Sequence, residues 1–376
     1  MIAAAQNVSI AIKARSRRVL VLSDALPERN GVGTYYRDLV DQLRGHVDRA
    51  ELICPDADMG WRGRLTFAMP GDRTQVICAP PLRRLLAYVN DLRPDVVIAA
   101  TPGPFGLSGL YLARRHGAPL ICGFHTHLEG LTDLYWASGP GRLFGRMSRA
   151  FLDGANRLLF RCSEAVIANS PEMAGLARGL GAGRVELVGT PLARDFLSPP
   201  EAPVSGNLGR VLFAGRLAPE KNVHQVIDAA RSHPDHAFVI AGDGPLRDRV
   251  AAADRELPNL TWLGWQPRAA MRGIIDAADL LVLPSSVESF GTIALEAMAR
   301  ERLALVSPAC GILAWPDLAR GLFAMIPGET VTGALRRIRA LGPEPCLARA
   351  RLGRRAALEL AHRNTRGWLD LMAGAP

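Results

Sequence analysis

Short, unbroken runs of valine, isoleucine, leucine and alanine recur along this chain with helical stretches between them, and that alternation narrows the folds open to it. In the first half the runs are Val19–Ser23, Glu51–Cys54, Gln75–Cys78, Asp95–Ala100, Leu120–Phe124, Ala165–Ala168 and Val185–Val188. They are largely apolar at every position rather than at every second one, the pattern of parallel strands covered on both faces. Helical patterns such as Thr34–Arg44 and Pro81–Leu92 fall between them. Near residue 197 the texture changes to "LSPPEAPVSGNLG", rich in Pro, Ser and Gly, which reads as an interdomain linker. The alternation then restarts with Val211–Ala214, Ala237–Ala241, Leu260–Leu263, Leu280–Leu283 and Leu303–Val306, and with helices near Val223–Arg231, Leu246–Asp254, Ala269–Ala277 and Thr292–Ala299. The expected class is α/β, with two Rossmann-like doubly wound domains at 1–197 and 209–350 joined by a linker at 198–208. The last segment, 351–376, contains the amphipathic helix "RRAALELAHRNTRGWLDLM", which packs on its own domain or crosses back to the first. Two such domains would face a central cleft and bind ligands at the carboxyl ends of their strands.

A chain of 376 residues suits two domains of ordinary size. Hydrophobic content of 48% with 22% charged residues belongs to a globular chain rather than a disordered one. No apolar run is long enough to span a bilayer. At the amino terminus Lys13, Arg15, Arg17 and Arg18 follow the apolar part, the reverse of a secretory leader. Six scattered cysteines without metal or redox spacing read as buried thiols of a reducing compartment, so a cytoplasmic location is expected. The net charge of +9 favours a polyanion such as nucleic acid, anionic lipid or a phosphorylated substrate, and an arginine-rich proteome accounts for it equally. Nucleic acid is not expected, because the basic stretches lack interleaved aromatics.

Three stretches of the second half carry chemistry. In "RVLFAGRLAPEKNVHQVIDAA", Gly215 ends a strand, and Arg216 and Lys221 lie five residues apart on a strand-to-helix loop, a ready anion site for a diphosphate or else a solvated loop. In "AFVIAGDGPLRDRV", Gly242 and Gly244 follow a strand where backbone could approach a ligand, or where a simple turn is needed. In "PSSVESFGTIALEAMA", Glu288 precedes a turn of Ser289, Phe290 and Gly291, which offers backbone amides to a phosphate, while Thr292 is placed to cap the helix that follows. Glu296 sits among the apolar Ile293, Ala294, Leu295, Ala297 and Met298, where a lone acid is more often functional or paired than solvent-facing. Carboxylates at these places suit the vicinal hydroxyls of a sugar or ribose.

"FAGRLAPEKN", "AGDGPL", "LGW" and the pair Glu288-x7-Glu296, in this order, resemble the retaining glycosyltransferases of family 4, which have the GT-B fold. The resemblance extends over the whole chain. It implies that Arg216 and Lys221 hold the diphosphate of a nucleotide-sugar donor, that Glu296 binds the ribose hydroxyls and that Glu288 contacts the donor sugar. Phe290, Gly291 and Thr292 would lie along sugar and phosphate, and the base would be read near Gly264 and Trp265. In "SDALPERNGVGTYYRDLVDQL", Gly31 and Gly33 look like the family's glycine-rich first loop, and in "ICGFHTHLEG" His125 matches a residue beside the reacting sugar, with His127 a second candidate. The sequence departs from the family at "LVGTPLARDFLSP" and at "SPACGILAWPDL", where a Gly-Gly turn is common.

The resemblance implies metal-independent transfer of a hexose, of the GDP-mannose or UDP-glucose type, to a lipid or glycan acceptor by front-face attack. No cofactor is expected, and Asp56-x-Asp58 in "PDADMG" lacks the context of a metal motif. Arg142, Arg146 and Arg149 beside Leu143, Phe144, Met147 and Phe151 form a basic amphipathic helix that could rest on an anionic membrane, or be an ordinary surface helix. A sugar-nucleotide epimerase of the same fold would turn over donor alone. A non-catalytic nucleotide-sugar-binding protein should show broken donor motifs, and here they are intact.

Overall fold

The protein is described from a computed structural model, which describes residues 16–27, 31–63, 66–69, 72–125, 141–201, 206 and 208–374. The chain divides into two compact units, one of Met1–Ala193 with Ala361–Pro376 and one of Arg194–Leu360. The first division falls ahead of the Pro- and Ser-rich stretch.

In the first unit, strands β1 (Arg18–Leu22), β2 (Arg49–Ile53), β5 (Val96–Ala99), β6 (Leu120–Phe124), β7 (Ala165–Ala168) and β8 (Val185–Leu187) form a parallel sheet in the order β2-β1-β5-β6-β7-β8. The connecting helices are α1 (Gly31–Leu43), α2 (Leu82–Leu92), α3 (Pro104–His116), α4 (Gly141–Cys162) and α5 (Pro171–Gly179). Alternate residues of one strand serve opposite faces: Leu20 and Leu22 join a core with Val97, Ala99 and Phe105, while Val19 and Val21 join another with Val96, Ile98, Tyr35 and Tyr36. That double burial is why the strands are apolar at every position. Gln75–Cys78 departs from this pattern. It belongs to β4 (Asp72–Cys78), which pairs antiparallel with β3 (Thr66–Met69) in a separate two-stranded sheet. The cross-strand partners Phe67 and Ile77 are both exposed, so one face of this hairpin is uncovered.

The second unit carries β9 (Arg210–Ala214), β10 (Ala237–Ala241), β11 (Leu260–Gly264), β12 (Leu280–Leu283), β13 (Leu303–Val306) and β14 (Phe323–Ala324), all parallel, in the order β11-β10-β9-β12-β13-β14. Its helices are α6 (Arg194–Leu197), α7 (Val223–Ser232), α8 (Arg247–Glu256), α9 (Arg268–Asp276), α10 (Thr292–Ala299), α11 (Pro316–Arg320) and α12 (Val331–Arg339). The two-residue β14 is too short to show a run in the sequence. This is the doubly wound order, and its direction reverses between β9 and β12, where the carboxyl ends diverge and leave a crevice.

Helix α13 (Pro343–Gly374) contributes Cys346 and Ala350 to the core of the second unit, and Trp368 and Met372 to that of the first. Asn364 fastens its later part by accepting from the Gly189 amide and donating to the Thr190 carbonyl, both at 2.9 Å. Among the described residues no helix is long and apolar enough to cross a membrane.

Candidate functional site

The loops after β9 and β12 meet at the reversal point of the second sheet. A 3₁₀ turn, Pro219–Lys221, follows β9, and Asn222 then adopts a left-handed conformation before α7 begins. The Asn222 side chain donates to the Pro284 carbonyl at 3.0 Å, and the Ser286 amide donates to the Glu220 carbonyl at 2.8 Å, so the two loops are stitched together. The cations on this loop are not simply solvated. Arg216 is ion-paired with the buried Glu220, and the Lys221 ammonium donates to Glu288 Oε2 at 2.5 Å across 67 residues of sequence. An ammonium has three donors, so Lys221 keeps capacity for phosphate oxygens beside Glu288.

The loop after β10 lies alongside. A Cβ on Gly242, whose φ is +146°, would stand 1.9 Å from the Gly215 carbonyl oxygen, and one on Gly244 would meet the Leu217 backbone. The close approach these glycines permit is therefore to the neighbouring loop. Trp262 donates its indole N–H to the Gly242 carbonyl at 3.0 Å, and Trp265 stands partly exposed on the loop after β11.

Glu288 forms a parallel bridge with Cys310, and its carbonyl accepts from the Gly311 amide at 2.9 Å. Gly291 is the N-cap of α10 with φ +96°, and no side chain caps the helix. Thr292, expected as a cap, is the first helical residue instead, because the left-handed Gly291 takes the boundary position. A Cβ on Gly291 would lie 2.6 Å from Cys310 Sγ. That thiol donates to the Phe290 carbonyl at 3.2 Å, and the Phe290 ring is buried edge-on to Trp315. Cys310 and Gly311 thus brace the Ser289–Gly291 turn.

Glu296, on α10, is buried and ion-paired with Arg268 Nη1 from α9. The Arg268 guanidinium lies over the Phe196 ring, 4.8 Å from its centroid. Glu296 Oε2 has no hydrogen-bond partner among the described residues. Burial pushes the carboxyl above its ordinary value and the Arg268 charge opposes that push.

In the first unit, Gly31 and Gly33 lie in the opening turn of α1 rather than in a loop before it. Asp24, in the loop after β1, accepts from the Thr101 hydroxyl at 2.6 Å and from the Phe105 amide at 2.9 Å, joining that loop to the start of α3. His125 follows β6; its Nε2 lies 2.9 Å from the Tyr36 hydroxyl and its ring is stacked against Tyr35. Burial pulls its pKa down to about 3, so the imidazole is neutral. His127 lies outside the described residues. The Asp56 carboxylate accepts from the Asp58 and Met59 amides and so closes its own turn.

Arg216, Lys221 and Glu288 are therefore held on adjoining loops, with Glu296 on the helix that follows, whereas Gly31, Gly33 and His125 belong to the first unit. Glu220, Arg268, Asp24 and Tyr36 are missing from the sequence reading. The isolated Glu220 beside Lys221 was legible in principle as a partner for the cations, but Arg268 carried no local signal.

Residues 200–314 match the family described as glycosyl transferases group 1, and residues 29–193 match glycosyltransferase family 4. The chain is 30% identical over 301 residues to a GDP-mannose-dependent alpha-mannosyltransferase of Mycolicibacterium smegmatis, covering 75% of this chain and 77% of the relative. It is 28% identical over 315 residues to the protein of that description in Mycobacterium tuberculosis, covering 78% and 79%. Among solved structures, HepE of Anabaena in complex with UDP and glucose has a TM-score of 0.68 at 19% identity, covering 94% of this chain and 99% of that one. Sucrose-phosphate synthase of Thermosynechococcus elongatus has a TM-score of 0.68 at 18% identity, covering 95% and 98%. At such identities the likeness is one of fold, and that fold is GT-B.

Proposed function

The chain belongs to the group 1 glycosyltransferases, and from that premise we propose that it transfers mannose from GDP-mannose to a lipid or glycan acceptor with retention of configuration. The observation that carries the reading is the meeting of two cations and an acid, Arg216, Lys221 and Glu288, at the reversal point of the second sheet, with the buried Glu296 on the helix just beyond. The names of the two mycobacterial relatives support the donor.

In this reading the diphosphate lies against Arg216 and Lys221, which offset the negative charge that grows as the sugar leaves. The carboxylate of Glu288 accepts from sugar hydroxyls while Lys221 holds it in place. Glu296 accepts from the ribose. Ser289, Phe290, Gly291 and Thr292 run along sugar and phosphate, Gly215, Gly242 and Gly244 shape the floor, and Trp265 lies near the base. Gly31, Gly33 and His125 serve from the first unit. His125, being neutral, offers a hydrogen bond to the reacting sugar rather than a charge. The cations supply the electrostatic stabilisation, so the reaction as proposed needs no metal ion and no cofactor. The acceptor hydroxyl attacks from the face the diphosphate leaves.

The acceptor side is read from α4. Met147, Phe151 and Leu158 are exposed along one stripe of that helix, with Arg157 and Arg161 exposed nearby. An apolar stripe edged by arginines, in a chain of net charge +9, complements an anionic lipid surface, which favours a lipid acceptor and a peripheral position on a membrane. The side chains of Arg142, Leu143, Phe144 and Arg146 lie outside the described residues.

The test is a melting-temperature panel with GDP, UDP and their sugars, followed by nucleotide release with and without an acceptor extract. GDP should stabilise more than UDP, by mass action on the folded state, and release should need the acceptor. Stabilisation by neither nucleotide sinks the reading, and conversion of donor alone points to an epimerase. Flotation with liposomes should succeed with anionic lipid; absence of binding with and without it removes the membrane.

A further inference from the structure

The Arg268–Glu296 pair lies beyond the residues that face phosphate and sugar. Arg268 is the first residue of α9 and Glu296 lies inside α10, so the pair spans two helices that pack together. The guanidinium is confined on two sides, its face against the buried Phe196 of α6 and its Nη1 on Glu296 Oε1. A planar cation so confined holds the carboxylate oxygen it meets in place. The second oxygen, Oε2, is buried and has no partner in the protein among the described residues. A carboxylate oxygen left that way at a ligand site is a costly arrangement unless a donor arrives there.

We propose that Arg268 is a positioning residue for the donor: it holds one oxygen of Glu296, so that the other oxygen accepts from the vicinal diol of the nucleotide's ribose. The inference rests on the assignment of Glu296 to the ribose and extends it to a residue that touches no substrate. The charged residues on the elements around Glu296 are few. On α9 they are Arg268, Arg272, which bonds Glu201, and Asp276, which bonds Arg300; on α6 they are Arg194 and Asp195; on α10 itself Glu296 is alone, with Arg300 following the helix. Strands β12 and β13, against the other side of α10, carry no charge. Among the described residues, Arg268 is the charged group that acts on Glu296. Without it, burial alone governs the carboxyl, which then takes up a proton at a higher pH.

The experiment measures affinity for GDP and for 2′,3′-dideoxy-GDP by calorimetry between pH 6 and 9, in the wild type, Arg268→Met and Arg268→Lys. Wild type is expected to prefer GDP at every pH. In Arg268→Met that preference should shrink as the pH falls, by about tenfold for each unit below the new pKa of Glu296. The lysine variant, which keeps a charge but not the planar fork, should restore the flat pH profile and only part of the preference. Thermal melts confirm that each variant is folded, and a variant that does not fold is replaced by Phe196→Leu, which loosens the guanidinium and should weaken the preference in the same sense. Wild type that binds neither nucleotide overturns the donor reading itself. Wild type that binds both nucleotides equally removes the ribose from Glu296, and the inference with it. A wild type that discriminates, beside a methionine variant with the same preference and the same flat profile, overturns the role of Arg268 while leaving the donor reading standing.

Discussion

The ammonium of Lys221 and the carboxylate of Glu288 are 2.5 Å apart, tying the loop after β9 to the loop after β12. Both side chains are about four-fifths covered, at 20% and 17% exposure, so the pair is partly screened. A bridge in that setting contributes about 1 kcal/mol or less to folding. Its chemical effect is larger if Lys221 meets the departing diphosphate. Lys221→Ala is therefore expected to lower kcat by roughly 10²–10³-fold while shifting Tm by only about 2–4 °C. Steady-state turnover beside a thermal melt checks this, and wild-type turnover in the variant would falsify the assignment.

The opposite balance is expected at Arg300, which follows α10. It is fully buried, meets both oxygens of Asp276 at 2.7 and 2.5 Å and donates to the Ser198 carbonyl at 2.6 Å. Arg300→Met strands the largely covered Asp276, whose side chain is 10% exposed, and frees the segment after α6, which should cost about 3 kcal/mol. Nucleotide affinity of the folded fraction should be unchanged. Urea unfolding measures the loss, and a cost below about 1 kcal/mol would show that Asp276 finds another partner.

The two sheets were legible because their inner strands are buried on both faces, so composition alone announces them; Val19–Leu22 and Leu280–Leu283 are examples. The hairpin at Phe67 and Ile77 was not, since a short apolar run looks the same in either kind of sheet. In the site, Lys221 and Glu288 were legible from their places on loops after strands, and Glu296 from its apolar neighbours on α10 and its spacing from Glu288, all of which is local information. Their partners were not. Arg268 reaches Glu296 from 28 residues away and Tyr36 reaches His125 from 89, and nothing in the neighbouring text marks either contact. Gly242 shows a third limit. The sequence displays a glycine after a strand, but only the packing shows that it makes room for the Gly215 carbonyl.

Gly31 and Gly33 separate two uses of glycine in one turn of α1. A Cβ on Gly33 would stand 2.1 Å from the Leu26 carbonyl oxygen, while nothing described lies within 4 Å of one on Gly31. Gly33→Ala must displace backbone and should destabilise the first unit by about 1–3 kcal/mol. Gly31→Ala should leave Tm unchanged. If its openness serves a ligand, kcat/KM for the donor falls in this variant although stability does not. Equal melting shifts in the two variants would contradict the packing, and unchanged kcat/KM in Gly31→Ala would remove Gly31 from the site.

His125 should make stability depend on pH in a defined window. Burial lowers its pKa from 6.5 to about 3, with no charged neighbour contributing among the described residues. In the unfolded chain the ring takes up its proton below about pH 6.5, and in the folded protein only near the lowered value. Between these limits the unfolded state binds more protons, so stability is lost as the pH falls, at about 1.4 kcal/mol per unit. Above pH 6.5 the contribution of the neutral ring is fully present. His125→Gln keeps a group able to bond the Tyr36 hydroxyl but cannot titrate. The difference in unfolding free energy between wild type and His125→Gln should therefore be constant from pH 7 to 9 and move against the wild type from pH 6 to 4, which isolates His125 from the carboxylates that titrate in both proteins. A difference that stays flat down to pH 4 would mean that the ring is reached by water or by a compensating charge. The same burial predicts that the kcat profile has no limb near 6.5 from His125, because a ring already neutral there has no proton to lose.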